Sequence, residues 1–144
     1  MSNYLWLIFA ILSAVSAAFV TIFGKIGLKG IDSNTATALR SVIMAVFLVL
    51  VAAFQGKLSQ ISTIIENKKA FGFIILSGIA GAVSWLFYFV ALKHGKVSQV
   101  SPIDKLSVVF AVILAFFFLG EKVSKLGILG VIFIAVGAVL VALA

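Results

Sequence analysis

Three ionisable side chains, Arg40, Asp104 and Lys105, lie inside long apolar runs of this sequence. A charge held in hydrocarbon is costly, so such groups face a cavity or a partner and mark routes for solutes or protons. The chemistry they offer is charge recognition: buried positive charge at Arg40 and Lys105 is offset by an anionic or zwitterionic ligand more readily than by a cation. Asp104 is also placed to neutralise one of them. A plainer reading stands beside this one. Ser101, Pro102, Ile103 and Asp104 form a capping-box-like start, with Ser at the N-cap, Pro at the first helical position and an acid at the third. The helix dipole alone favours an acid there, and Arg40 and Lys105 have stems long enough to snorkel to the interface.

A second group is neutral. Ser77, Gly81, Ser84 and Tyr88 recur at i, i+4, i+7 and i+11, which puts them on one helical stripe with Trp85 beside it. Small and hydroxyl residues next to rings suit a solute cavity, where the backbone is approachable and the rings give amphipathic contact. They equally suit close helix packing. Ser13, Ser16 and Thr21 pose the same choice, whereas Gly127, Gly130 and Gly137 leave a flat, apolar side that reads as a helix-contact surface and dimer seam. No catalytic set assembles. There is one histidine, His94, no cysteine, no HExxH, no GxSxG and no glycine-rich phosphate loop, so the expectation is a non-enzyme without metal or cofactor.

The elements that carry these residues follow from composition. Of 144 residues 64% are hydrophobic and 10% charged, and the mean hydropathy is +1.33; soluble domains are about half apolar and a quarter charged. A water-soluble globule is excluded. Five apolar segments stand at roughly 4–24, 34–55, 70–92, 99–120 and 124–143, each near the 20 or so residues a bilayer demands. They are apolar all round, unlike the alternating strands of a barrel, and helices alone satisfy their own backbone in lipid. The fold class is therefore all-α integral membrane, read as one domain over residues 1–144 with no internal repeat. The small residues after the first apolar core suggest a signal peptide, but residues 1–3 carry no Lys or Arg and apolar sequence runs on to Phe23. The expectation is an uncleaved first span, with Tyr4 and Trp6 as interfacial anchors.

Local signals set the ends. Asp32, Ser33 and Asn34 suit a helix N-terminus, and Gly95 and Gly120 stand where C-termini are expected. The longest connection, 55–69, places Leu58, Ile61, Ile64 and Ile65 at helical spacing between lysines. It is either a short helix in the headgroup plane or an ordinary loop.

Five spans put the termini on opposite sides. Lys57, Lys68, Lys69, Lys122 and Lys125 fall on the N-terminal side; Lys25, Lys29, Lys93 and Lys96 fall on the other, with Arg40 and Lys105 just inside it. Arg40 and Asp104 thus approach one membrane face and pair if the second and fourth spans are neighbours. Orientation follows the side richer in Lys and Arg. A near tie predicts insertion in both orientations, and an odd-spanned chain inserted both ways can supply both halves of an inverted-repeat carrier.

The motifs then show a resemblance. Pro102-Ile-Asp-Lys-Leu-Ser107, VVFAVILAFFFLGE ending at Glu121, and GILGVIFIAVGAVLVAL resemble the C-terminal part of an EamA domain of the drug/metabolite transporter superfamily. Upstream, Phe23–Leu28 (FGKIGL), Leu39-Arg40 and Phe89–Gly95 (FVALKHG) look like the corresponding family positions, so the resemblance covers nearly the whole chain. Most members carry two inverted five-span repeats, and this chain looks like the stand-alone five-span branch. The resemblance implies an antiparallel dimer working by alternating access, with the first four spans lining a cavity and the fifth at the periphery or dimer contact. Arg40, Ser77, Ser84, Trp85, Tyr88, Asp104, Lys105 and Ser107 are then the cavity candidates, while Gly120 and Glu121 cap and turn the chain. The superfamily's four-span exporters use a glutamate in the first span; here that span has Ala14 and no acid, which argues against that chemistry. The implied activity is transport of a small polar metabolite across a prokaryotic plasma membrane, with the bilayer, a second copy and the solute as partners. The rival reading is an accessory membrane subunit that pairs with another half-transporter. A channel would need a continuous polar face, which the second and fifth spans lack.

Overall fold

A computed structural model describes residues 4–144. Seven α-helices run in order: α1 (Leu5–Gly27), α2 (Ser33–Phe54), α3 (Gln60–Glu66), α4 (Lys68–His94), α5 (Val97–Asp104), α6 (Leu106–Leu114) and α7 (Lys125–Leu143), with a π-helical turn at Ala115–Leu119 between the last two. No strand occurs among the described residues. Five helical segments are long and apolar enough to cross a bilayer: α1, α2, α4, the composite Val97–Leu119, and α7. Nearly every large apolar side chain on them is exposed, as lipid-facing helices require where the solvent is itself hydrocarbon.

The chain divides into two compact units. One is Gly27–Lys93. Its buried positions concentrate at two helix ends: Ser33 and Thr37 in the first turns of α2, Phe89 and Leu92 in the last turns of α4, together with Leu28. The hydroxyls there bond back along the helix, Thr37 Oγ1 to the Ser33 carbonyl at 2.7 Å and Ser41 Oγ to that of Thr37 at 2.9 Å, so neither of these two hydroxyls is stranded by the absence of water. Asp32 caps α2 as its sequence suggests, accepting from the Thr35 amide at 2.8 Å and the Thr35 hydroxyl at 2.9 Å. Those two bonds, aided by Lys93, hold its carboxyl below the usual carboxylate range. In the long connection a helix does form: α3 carries Ile61, Ile64 and Ile65, all exposed.

The other unit comprises the residues up to Ile26 together with His94–Ala144. Here α5 and α6 both pack against α7. In α1, Ser16 and Thr21 donate to the carbonyls of Leu12 and Ala17, which gives these hydroxyls a role inside their own helix. Lys25 does not act only as a headgroup anchor: its Nζ donates to the Gly95 carbonyl at 2.8 Å, satisfying an acceptor just past the end of α4.

The two glycines expected at helix ends behave differently. Gly120 takes a left-handed conformation, φ 67°, and lets the amides of Gly120 and Glu121 both close on the Ala115 carbonyl, which widens the last turn into the π-helix. Gly95 follows α4 without a positive φ; the other left-handed glycines are Gly30 and Gly56, in the connections after α1 and α2.

Candidate functional site

The fourth span is built differently from the sequence expectation. Ser101 is not an N-cap. The helix begins four residues earlier, at Val97, and the Gln99 side chain accepts from the Lys96 amide at 3.2 Å to close that end. The Gln99 side chain, reaching back three residues to the Lys96 amide, outcompetes the Ser-Pro signal, because it lets α5 start one turn sooner. Pro102 consequently lies inside α5, where it lacks the amide that would bond to the Ser98 carbonyl. The helix stops at Asp104 and restarts at Leu106. Tight i to i+3 bonds bracket the break, Lys105 N to Pro102 O at 3.0 Å and Val108 N to Lys105 O at 3.1 Å.

At this break sits the charged pair. Lys105 Nζ lies 3.2 Å from Asp104 Oδ2, with the two side chains 54% and 34% exposed. Asp104 thus sits at the C-terminal end of its helix and not in the first turn, so the helix dipole opposes its charge there. Lys105 supplies the compensation. The break lies eight residues beyond Val97, about 12 Å along the helix at about 1.5 Å per residue, within the Val97–Leu119 segment that is long and apolar enough to cross a bilayer. Ser107 follows on the first turn of α6 and is exposed.

In the Gly27–Lys93 unit a second centre forms around Arg40. This residue is seven positions into α2, about 10 Å from its start. Its guanidinium carbon lies 3.1 Å from the centroid of the Trp85 ring and 4.8 Å from that of Phe89. Trp85 and Phe89, one turn apart on α4, stack at 5.8 Å, and Tyr88 meets Phe89 edge-on at 5.6 Å. Arg40 Nη2 reaches the Met44 sulfur at 3.2 Å, a weak acceptor. Arg40 Nη1 is buried and has no hydrogen-bond partner.

Of the residues singled out in sequence, the fold brings together Arg40 with Trp85, and Asp104 with Lys105, while Tyr88 meets Phe89. Ser77 and Ser84 remain exposed on α4 outside either cluster. Phe89 and Met44 were missed: each is an unremarkable apolar residue in an apolar run, and only the i, i+4 spacing of Trp85 with Phe89 and of Arg40 with Met44 hinted at them. The glycines of α7 also separate. A Cβ on Gly127 would come within 2.9 Å of Val123 Cγ1, in the turn where Ser124 caps α7 through the Gly127 amide, so its smallness serves the chain itself. Gly130 and Gly137 have no such neighbour within 4 Å.

Comparison with known proteins agrees with this architecture. Residues 4–143 match the EamA-like transporter family. A protein from Sinorhizobium sp described as an uncharacterized transporter in the cobO 3' region is 42% identical over 137 residues, covering 95% of this chain and 96% of the relative. No solved structure matches the chain significantly. The five apolar helices, the 42% identical relative and a family match spanning almost every residue lead to one conclusion: this chain belongs to the EamA-like transporter family.

Proposed function

We propose that the protein moves a small polar metabolite across a prokaryotic plasma membrane by alternating access, as an antiparallel homodimer of chains inserted in both orientations. The observation that carries this reading is the broken fourth span. Carriers place their binding sites at discontinuous helices, because an interrupted helix presents free backbone groups and local flexibility in the membrane interior. Here the interruption falls at Lys105 and bears an ion pair. Two further features support the dimer: the near-equal division of lysine and arginine between the two sides, and the open small-residue positions Gly130 and Gly137 on α7.

Uptake into proteoliposomes, screened over carboxylates, amino acids and amines, tests the proposal. Asp104→Asn or Lys105→Ala abolishes transport while leaving dimer yield intact. Wild-type transport in both variants reduces the pair to a helix end and an interfacial anchor, and absence of flux for any solute favours an accessory role beside another half-transporter.

A further inference from the structure

We propose that Arg40 is the anchor for a carboxylate, so that the solute carries a single negative charge; the assignment rests on the carrier reading above. A guanidinium is compensated in two separate directions. Its faces stack on rings, and its edge presents N–H donors in the plane. At Arg40 the face is filled, with Trp85 at 3.1 Å and Phe89 at 4.8 Å. The edge is not: Nη2 has only the Met44 sulfur, and Nη1 is buried without an acceptor. A charged donor withdrawn from water without an acceptor is among the costliest arrangements in a protein. The rings meanwhile orient the guanidinium plane; Nη1 is covered in this conformation, so a carboxylate takes up the two parallel bonds when alternating access opens the edge.

Charge arithmetic selects the ligand. Within the Gly27–Lys93 unit Arg40 meets Trp85, Phe89 and Met44, none of them charged. One carboxylate against one guanidinium leaves a neutral pair in hydrocarbon. A dianion such as sulfate leaves an excess negative charge there, and an organic cation adds to the positive one. Simple snorkelling does not account for the geometry, because a snorkelling arginine carries its donors to water and headgroups, whereas Nη1 is buried.

The chain contains two tryptophans, Trp6 and Trp85, so Trp6→Phe leaves Trp85 as a reporter in contact with the site. In detergent-purified Trp6→Phe protein, sodium propionate is expected to change the Trp85 emission saturably. Sodium sulfate binds at least tenfold more weakly, and tetramethylammonium chloride at matched ionic strength gives no saturable change. Adding Arg40→Gln weakens propionate at least tenfold, and Arg40→Lys falls between, since an ammonium keeps the charge but loses the fork. No saturable response to propionate, an equal response to tetramethylammonium, or an unaltered titration in a folded Arg40→Gln protein overturns the assignment. If Arg40→Gln does not fold, the discrimination between propionate and tetramethylammonium in Trp6→Phe protein decides alone. Binding without flux of any solute refutes the carrier reading and leaves the site; flux that is indifferent to Arg40→Gln refutes the site and leaves the carrier.

Discussion

Replacing Trp85 by Leu removes the ring that lies against the Arg40 guanidinium. With Nη1 already lacking an acceptor, the ring at 3.1 Å is the main compensation for this charge. A desolvated cation–π contact contributes about 2 kcal/mol, and the stack of Trp85 on Phe89 at 5.8 Å adds about 1 kcal/mol. Trp85→Leu should therefore destabilise the protein by about 3 kcal/mol. Arg40→Met should cost far less, because removing the charge also removes its desolvation, and apolar residues of similar volume often replace buried ionic groups at little cost. In the double variant only the lost ring stack remains, so the coupling between the two sites is about 2 kcal/mol and the second substitution partly rescues the first. Reversible unfolding in mixed micelles of rising SDS fraction, followed by circular dichroism on the four proteins of the cycle, measures it. Additivity within about 0.5 kcal/mol would refute the reasoning, because Arg40 would then draw its compensation from elsewhere.

Three further outcomes are expected. Single cysteines at Lys57 and Lys96, in a chain with no native cysteine, should each label in about half the molecules with an impermeant thiol reagent on intact cells; full labelling at one site and none at the other excludes self-inversion. Pro102→Ala restores an amide to the interior of α5, so hydrogen exchange around Lys105 and Leu106 should slow while transport falls; unchanged exchange would mean that the break has another cause. Because Asp32 is held below the ordinary carboxylate range by its bonds from Thr35, its cap stabilises α2 above that range and is lost as pH falls through the lowered value. Stability measured against pH should drop on acidification in the native chain, and Asp32→Ala should flatten that drop.

Much of the architecture was legible because a bilayer reads length and hydropathy with little regard for neighbours. Five apolar runs near 20 residues gave five helices, and Asp32 capped α2 as its type and position suggested. Where two local signals competed, sequence reading chose wrongly at the fourth span: Ser101-Pro102 looks like a helix start, but Gln99 captures the Lys96 amide and the helix begins earlier. The ionisable residues were visible at once as charges out of place. Their partners were not, since nothing in an apolar run distinguishes Phe89 or Met44 from its neighbours.

By itself, then, the sequence determined a five-helix membrane protein with Arg40, Asp104 and Lys105 away from the ends of its spans, because the cost of apolar surface in water and of charge in lipid is additive along the chain. Tertiary structure decided what those residues became. Whether Arg40 meets a ring or an acid, whether Asp104 begins a helix or ends one, and whether Gly127 serves its own turn or another helix all depend on which groups from distant turns arrive at the same place. That meeting is set by packing geometry, which is not additive and is not written at any single position.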